Sequence, residues 1–258
     1  MCGSDRAVLE IAVQDPAGAK VASGQGAYRV ELCVGLGAYG GFTPSIGLVQ
    51  EVCRVGLPGG VQVLVRPRAG DFHYTDPDLV AVQVNDIRAL VRAGAAGVVI
   101  GALDGRGDVD RELSARLLEA AREEADRQGR PVQVTCHRAF DQVPDRSAAL
   151  ETLIDLGFDR VLTSGGAPSV GRGMDAIADL VQQADGRIQI MAGGGLRVED
   201  IGRVLDLGVD AVHMSAKRLV DSRGGPGAGA DAGLEITDGG LVGQAAHAVS
   251  AWHSAAGV

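Results

Sequence analysis

Short runs of β-branched residues alternate with longer segments of helical periodicity along most of this 258-residue chain. Such alternation predicts parallel strands that are joined by covering helices. Several predicted helices end in a glycine suited to a left-handed cap, as at Gly94, Gly157 and Gly208. The eight strand-like runs lie at residues 7–13, 27–33, 61–65, 97–100, 132–137, 160–163, 187–191 and 211–215. Eight such units predict an α/β fold of the TIM-barrel type, a (β/α)8 barrel over about residues 7–218.

The domain organisation follows from length and local composition. With 46% hydrophobic residues, 258 residues suffice to bury one large core, so we predict a single domain over residues 1–258. Residues 219–235, approximately, are rich in glycine and proline and predict a flexible loop. An amphipathic segment at about 240–254 predicts a C-terminal helix that closes the barrel.

Charge and cysteine content limit the partners. A net charge of -9 and a pI near 5.0 disfavour binding to nucleic acid or to an anionic membrane, because both need a basic surface. The sequence has no apolar run of membrane-spanning length, and residues 1–6 lack the features of a signal peptide, so we predict a cytoplasmic protein. Its four cysteines contain no CxxC pair, which predicts free thiols at Cys2, Cys33, Cys53 and Cys136.

The two faces of each predicted strand differ in polarity. Side chains alternate between the barrel axis and the covering helices, so the face opposite the apolar set should point inward. The predicted inward residues are unusually polar, whereas barrel interiors usually hold branched aliphatic side chains. They comprise Glu10, Ala12, Arg29, Glu31, Cys33, Gln62, Leu64, Arg66, Gln133, Thr135, His137, Gln189, Met191, His213 and Ser215.

Two inward glutamates suggest catalysis. Glu10 and Glu31 lie on adjacent strands, and because buried charges need partners we expect a charged network with Arg29 and Arg66. The structural alternative is that these ion pairs merely replace aliphatic layers of the core. The functional hypothesis is that one glutamate and His137 act as acid and base while Arg66 holds an anionic group.

Glycine-rich loops follow the sixth and seventh predicted strands. Glycines let backbone N–H groups converge on an oxyanion, and barrels often bind phosphate at this end. The alternative is that these glycines only form tight turns. The candidate anion-binding residues are Ser164, Gly165, Gly194, Gly195 and Ser215, together with Arg68 two positions after Arg66.

Six motifs resemble those of the CutC family, the proteins named for copper homeostasis. They occur in the family's order between about residues 7 and 218, and HRAFD and RPRxGDF are the most specific of them. The motifs are RVELC (29–33), GGFTPS (40–45), RPRAGDF (66–72), CHRAFD (136–141), VLTSG (161–165) and MAGGG (191–195).

The resemblance implies a cytoplasmic barrel, often oligomeric, with a proposed role in copper homeostasis and Cu(I) binding. Cu(I) prefers thiolate and thioether ligands. Family members commonly carry a cysteine on the first strand that pairs with the one on the second, where this chain has Ala12. The remaining candidate metal ligands are Cys33 and His213, with Met191 as a conceivable further ligand.

Two functions therefore stay open at the level of sequence. The first is a CutC-like copper homeostasis protein that binds Cu(I) without catalytic turnover. The second is a barrel enzyme that acts on a small anionic or phosphorylated metabolite through Glu10, Glu31, Arg66 and His137. A copper carrier should have kept its second thiol, whereas a binding module does not obviously need two inward glutamates beside a histidine.

Overall fold

The structure, a computed structural model, describes residues 7–221 and 233–257. Eight parallel strands follow one another in chain order and close into a barrel, in which β1 pairs with both β2 and β8. The predicted (β/α)8 fold is thereby confirmed. The barrel strands are β1 (Val8–Val13), β2 (Arg29–Leu32), β3 (Val61–Leu64), β4 (Gly97–Ile100), β5 (Gln133–Cys136), β6 (Arg160–Thr163), β7 (Gln189–Gly193) and β8 (Ala211–Met214).

Helices cover the barrel, and several begin at an aspartate. The side chains of Asp15, Asp76, Asp110 and Asp145 each accept a hydrogen bond from a backbone N–H in the first turn of a helix. These caps satisfy donors that have no partner within the helix. The helices are α1 (Pro16–Gly24), α2 (Leu36–Tyr39), α3 (Ile46–Cys53), α4 (Pro77–Arg92), α5 (Arg111–Gln128), α6 (Arg146–Leu156), α7 (Met174–Ala184), α8 (Ile201–Leu205) and α9 (Gly239–Ala256).

The segment after β8 differs in part from the prediction. The closing helix is present as α9, but the ends of the predicted flexible loop form two strands, β9 (Lys217–Val220) and β10 (Leu234–Thr237). These strands pair in antiparallel orientation, and Lys217 forms an ion pair with Glu235 across them. The glycine-rich part of the predicted loop, residues 222–232, lies outside the described residues, as do residues 1–6 with Cys2. No helix within the described ranges is long and apolar enough to cross a membrane.

Apolar and polar residues separate as the alternation predicts. A continuous apolar core lies between the strands and the helices. Inside the barrel are two small apolar groups, one of Cys33, Leu64 and Val99 and one of Leu162, Met191 and Ala211. Buried polar side chains occupy other inward positions, among them Glu10, Arg29, Glu31, Gln62, Thr135, Arg160 and His213. The barrel axis is therefore polar, as predicted.

Candidate active site

An open cavity of about 820 Å³ lies at the C-terminal ends of the strands. The cavity brings together seven of the predicted site residues, which come from five different strands or the loops that follow them. They are Glu31, Arg66, His137, Gly194, Gly195, His213 and Ser215. The other predicted residues, Glu10, Arg68, Ser164, Gly165 and Cys33, do not line this cavity.

Glu10 lies beneath the cavity at the centre of a charged group. The strand register places Glu10 level with Arg29 on β2 and with His213 on β8. One carboxylate oxygen pairs with Arg29 Nε, and Oε1 lies 2.8 Å from His213 Nδ1. Burial opposes ionisation of Glu10, but the Arg29 charge and the His213 hydrogen bond prevail and hold its pKa well below the ordinary value. Glu10 is therefore an anion.

Glu31 is also buried, but among the described residues it has no ion pair or hydrogen bond like those of Glu10 with Arg29 and His213. Its Oε2 atom is buried and has no hydrogen-bond partner among the described residues. Burial raises the pKa of Glu31 to about 7, with Glu10 adding to the rise and His213 opposing it. Ala12 and Gln62 are its neighbours in the strand register, and the small side chain of Ala12 also lines the cavity. Glu31 is thus a carboxyl group that can gain or lose a proton near neutral pH.

His213 connects the Glu10 group to the cavity. Burial lowers its pKa, but the Glu10 hydrogen bond and the charges of Glu31 and Glu10 outweigh burial, so the pKa is raised. Since Nδ1 faces Glu10, the hydrogen bond fixes the orientation of the ring. A carboxylate that orients an imidazole in this way is common behind catalytic and metal-binding histidines.

His137 presents a neutral imidazole. Its Nδ1 atom accepts a 3.1 Å hydrogen bond from the Ala139 N–H, so the proton of the neutral ring is on Nε2. Burial lowers the pKa of His137 to about 3, and the Arg66 charge acts in the same direction. The buried Nε2 has no partner among the described residues. His137 is therefore a hydrogen-bond donor at neutral pH, whereas the sequence hypothesis made it an acid or base.

Arg66 holds two loops together. Its Nη1 donates to the backbone oxygens of Tyr39 and Gly41, and its Nη2 donates to that of Gly70. The guanidinium also lies 5.2 Å from the centre of the Phe72 ring. The predicted ion pairs between Arg66 and the two glutamates are not formed, because both of its Nη atoms are taken by carbonyls. Only Nε has no acceptor among the described residues.

Arg68 is held in its own loop. It donates to the backbone oxygens of Ala69, Asp71 and His73, pairs with the Asp71 carboxylate at 2.7 Å, and lies 5.0 Å from the centre of the Tyr74 ring. These contacts hold the guanidinium in its own loop, and Arg68 does not line the cavity. Its candidate role as an anion-binding residue of the cavity does not fit this position.

The glycine loop after β6 already holds an oxyanion from within the chain. The carboxylate of Asp141 accepts hydrogen bonds from Thr163 Oγ1 at 2.6 Å, from Ser164 N at 3.1 Å and from Gly166 N at 3.0 Å. The Gly165 N–H donates to Thr163 Oγ1. Ser164 and Gly165 were predicted to bind an external anion, and their N–H groups are instead satisfied internally.

The glycine loop after β7 faces the cavity. Gly194 and Gly195 have φ angles of 106° and 61°, which L side chains rarely adopt. Their N–H groups donate to no acceptor in the part of the chain that the structure describes. Ser215 lines the same cavity at the end of β8. Anion binding by these three residues stays a prediction.

Cys33 lies in an apolar setting. Its side chain packs with Leu64 and Val99, and burial raises the pKa of its thiol far above the ordinary value, with the Glu31 charge adding to the rise. Met191 accepts a hydrogen bond from Arg29 Nη2. Within the described ranges, the group of His, Cys, Asp or Glu ligand atoms close enough to hold a metal ion consists of Glu10, Glu31 and His213, within 4.8 Å of one another. Cys33 does not belong to this group.

The sequence analysis missed several site residues. Arg138, Asp141 and Arg197 line the cavity, and Arg160 is fully buried in the barrel, where it donates to Gln189, Thr135 and Gln133. The alternation along β6 could have identified Arg160 as an inward residue. Arg138 and Asp141 stand within the HRAFD motif, but their spacing alone does not reveal that Asp141 reaches the β6 loop.

Comparison with known proteins identifies the family. Residues 7–218 match the model of the CutC family. A CutC family protein from Agrobacterium fabrum is 45% identical over 213 residues, which are 82% of this chain and 80% of the relative. The human copper homeostasis protein cutC homolog is 43% identical over 217 residues, 83% of this chain and 75% of the relative. The solved structure of CutC from Streptococcus agalactiae superposes with a TM-score of 0.72 at 30% identity, covering 80% of this chain and 97% of that one. The predicted resemblance is confirmed, and the chain belongs to the CutC family.

Proposed function

We propose that this CutC-family barrel binds a small anionic metabolite in its cavity and transfers protons to and from it, with Glu31 as the acid–base group. The observation that carries the proposal is the state of Glu31. It is a buried carboxyl group at the cavity surface, it has an oxygen without a partner, and its pKa is raised to about 7. An acid–base catalyst works best when its pKa lies near the working pH.

The contrast between Glu31 and Glu10 supports separate roles. Glu10 is compensated by Arg29 and His213 and stays ionised, whereas burial favours the neutral form of Glu31. Two carboxyl groups whose surroundings drive their pKa values apart are typical of acid–base sites. Glu10 then acts through His213 as a positioning residue, and Glu31 exchanges the proton with the ligand.

Two histidines line the cavity together with Glu31, and they differ in protonation. His137 offers a neutral Nε2–H donor, which suits a carbonyl or hydroxyl oxygen of the ligand. His213, whose pKa is raised, is the group that can carry a positive charge beside Glu31. A donor, a proton carrier and a cation around one cavity are the groups that proton transfer next to a carbonyl requires.

The groups around the cavity favour an anionic ligand. Four cations line it, namely Arg66, Arg138, Arg197 and Lys217, and Arg138 keeps an Nη1 without a partner among the described residues. Arg197 and Lys217 also pair with the acids Asp200 and Glu235, so free donors rather than a net excess of charge favour an anion here. The neutral form of Glu31 removes a repelling charge from the cavity.

Hydrogen exchange in D2O tests this function. A pool of small phosphorylated and carboxylated metabolites is incubated with the protein, and loss of C–H signals is followed by NMR. The wild type is expected to exchange protons in at least one member, and Glu31→Gln to slow that exchange about 100-fold. Asp179→Ala, an exposed change on α7, serves as the matched control. Equal rates for wild type and Glu31→Gln contradict the proposal, as does the absence of exchange in every member of the pool.

Copper is the second candidate ligand, because mammalian relatives are named as copper homeostasis proteins. The described residues do not fit Cu(I), which prefers thiolates and thioethers within reach of one another. Cys33 is buried with a raised thiol pKa, Ala12 supplies no second thiol, and Met191 contacts Arg29. Glu10, Glu31 and His213 instead form a carboxylate and imidazole set, which suits divalent cations.

Two titrations separate these possibilities. Reduced protein is titrated with Cu(I) against a chromophoric chelator, in parallel with Cys33→Ser, and neither protein is expected to compete. One tightly held Cu(I) that is lost in Cys33→Ser would support the copper hypothesis despite Ala12. Calorimetric titration with Cu²⁺, Zn²⁺ and Mn²⁺ tests the second set, for which uptake abolished by His213→Ala would support a divalent site.

We propose a cytoplasmic location because the described cysteines are free thiols. Cys33, Cys53 and Cys136 are unpaired, as expected in a reducing compartment. Cell fractionation tests it, and recovery with secreted proteins would contradict it. The homo-oligomer that the family resemblance implies stays a prediction, which sedimentation of the purified protein checks.

A further inference from the structure

The two glycine loops at the barrel mouth have the same conformational character. In the β6 loop, Gly165 and Gly166 have φ angles of 71° and 72°, and in the β7 loop Gly194 and Gly195 have φ angles of 106° and 61°. Successive backbone N–H groups in such conformations form a concave anion site. In the β6 loop the Asp141 carboxylate accepts hydrogen bonds from the N–H groups of Ser164 and Gly166, whereas the Gly165 N–H donates to Thr163 Oγ1. An oxyanion of the chain itself thus lies against the amides of one of these two loops.

The β7 loop has no such internal occupant. The N–H groups of Gly194 and Gly195 have no acceptor among the described residues, and both glycines line the cavity. On the other side of the loop, the Gly194 carbonyl accepts a 2.9 Å hydrogen bond from Val170 N, which holds the loop in place. The backbone that carries the free N–H groups is therefore anchored at Gly194.

Arg138 adds a positive charge to this loop. Its Nε donates to Asp141 Oδ2 at 2.7 Å and its Nη2 donates to Ser164 Oγ at 2.9 Å. The Nη1 atom makes no hydrogen bond to any described residue. A Cβ built on Gly194 would lie 2.6 Å from Arg138 Cζ, so the guanidinium rests directly against the glycine backbone. Asp141 and Ser164 therefore hold the Arg138 guanidinium against Gly194, with its Nη1 atom free.

The geometry points to a subsite for a phosphate group, formed by Arg138 and the backbone N–H groups of Gly194 and Gly195. This inference rests on the proposed function and narrows its substrate class to a small phosphorylated molecule, whose phosphate binds here while its reacting part faces Glu31. The Arg138 side chain is 42% exposed and thus accessible to a ligand from the cavity.

A phosphate fits this set of donors better than a carboxylate does. Ser215 lines the same cavity, so a hydroxyl group is present there besides the guanidinium and the two amides. A carboxylate has two oxygens in one plane, whereas a phosphate monoester has three terminal oxygens and up to two negative charges. Donors from side chain and backbone around one loop match the larger, tetrahedral group.

Amide resonances of the wild-type protein give the test. Inorganic phosphate is titrated into ¹⁵N-labelled protein, and the resonances of Gly194 and Gly195 are expected to shift in a saturable way. Gly165 and Gly166 serve as internal controls and should not shift, because their N–H groups are satisfied by Thr163 and Asp141. Absence of a shift at Gly194 and Gly195, or equal shifts in both loops, would overturn the inference.

A charge-matched pair of variants extends the test. Arg138→Gln should raise the dissociation constant for phosphate at least about tenfold. Arg54→Gln removes the same charge from an exposed i,i+3 pair at the end of α3 and should leave the dissociation constant unchanged. If Arg138→Gln fails to fold, the wild-type glycine shifts still decide. Phosphate binding at Gly194 and Gly195 without Glu31-dependent hydrogen exchange would contradict only the proposed function. Glu31-dependent exchange without phosphate binding at these glycines would contradict only the subsite.

Discussion

The β6 and β7 loops differ in what meets their backbone N–H groups, although each carries two successive glycines with positive φ. The Asp141 carboxylate lies against the β6 loop and accepts hydrogen bonds from four donors: Thr163 Oγ1, Ser164 N, Gly166 N and Arg138 Nε. In the β7 loop the N–H groups of Gly194 and Gly195 have no acceptor among the described residues, and both glycines line the cavity. In the β6 loop the oxyanion thus comes from the protein, whereas the proposed subsite of the β7 loop takes it from a ligand.

The two loops are also physically connected. Arg138 donates to Asp141 and Ser164 on the β6 side, while its guanidinium lies against Gly194 on the β7 side. The internally filled loop therefore positions the cation of the open loop. This arrangement predicts a stability role for the β6 loop and a binding role for the β7 loop, and the two can be separated by mutation.

The largest expected effect is on stability, from Asp141→Ala. The change removes a buried carboxylate, so several donors and the Arg138 charge lose their partner. We expect a loss of about 3–5 kcal/mol in the free energy of unfolding, measured by urea titration. The control Asp179→Ala, at an exposed position, should change stability by less than about 0.5 kcal/mol. Equal small losses in both variants would mean that the β6 loop does not depend on its internal anion.

The second-largest effect concerns Glu31, the buried carboxyl group of the cavity. Unlike Asp141, it has no ion pair, and its Oε2 atom has no hydrogen-bond partner, among the described residues. The folded-state pKa of Glu31 is raised from 4.5 to about 7, so the stability that its neutral form contributes is present below about pH 4.5 and is lost as the pH rises to about 7. Glutamine stays neutral, so Glu31→Gln should match the wild type near pH 4.5. Above pH 7 the variant should be more stable than the wild type by about 3 kcal/mol.

Urea unfolding of both proteins at several pH values between 4.5 and 8 measures this difference. Glu10→Gln is the informative contrast, because the pKa of Glu10 is lowered and its ionised form stabilises the fold. That variant should be less stable than the wild type at neutral pH. A constant difference between Glu31→Gln and wild type across the range would show that Glu31 does not titrate with a raised pKa.

A smaller effect distinguishes the two loops directly through Gly194→Ala and Gly166→Ala. At Gly194 the new Cβ would meet the guanidinium of Arg138, which Asp141 and Ser164 hold in place. At Gly166 it would meet the end of the Arg146 side chain, which can move aside. Both alanines carry the cost of a left-handed backbone, about 1–2 kcal/mol, and Gly194→Ala should cost more and also weaken phosphate binding.

Thermal unfolding together with phosphate titration of each variant separates strain from loss of the site. Gly202→Ala in α8 is the matched control, because a Cβ there meets nothing within 4 Å and alanine favours a helix by up to about 1 kcal/mol. If Gly166→Ala weakened phosphate binding as much as Gly194→Ala, the difference between the filled and the open loop would not hold.

The fold and the polar interior could be predicted from the sequence because both depend on local periodicity. Alternation with a period of two placed Glu10, Glu31 and His213 on the inner face, and the parallel register then brings them together. The roles of Arg66 and Arg68 could not be predicted, because the carbonyls that they bind belong to loops whose paths the pattern does not specify. At its two ends, the predicted flexible loop instead forms strands. Local composition did not predict them, because the pairing of Lys217–Val220 with Leu234–Thr237 is a long-range contact.

The smallest expected effect tests whether proximity to the open loop is enough for a cation to bind phosphate. Arg197 also lines the cavity, but its side chain is 66% exposed and pairs with Asp200 at 3.0 Å and Glu199 at 3.3 Å. Because solvent screens exposed ion pairs and the two acids offset its charge, Arg197→Gln should raise the dissociation constant for phosphate only about twofold. Arg138→Gln, measured in the same titration, should exceed this several times over. If the two variants lost affinity equally, binding would reflect the general positive charge of the cavity, and the position that Asp141 gives Arg138 would confer no advantage.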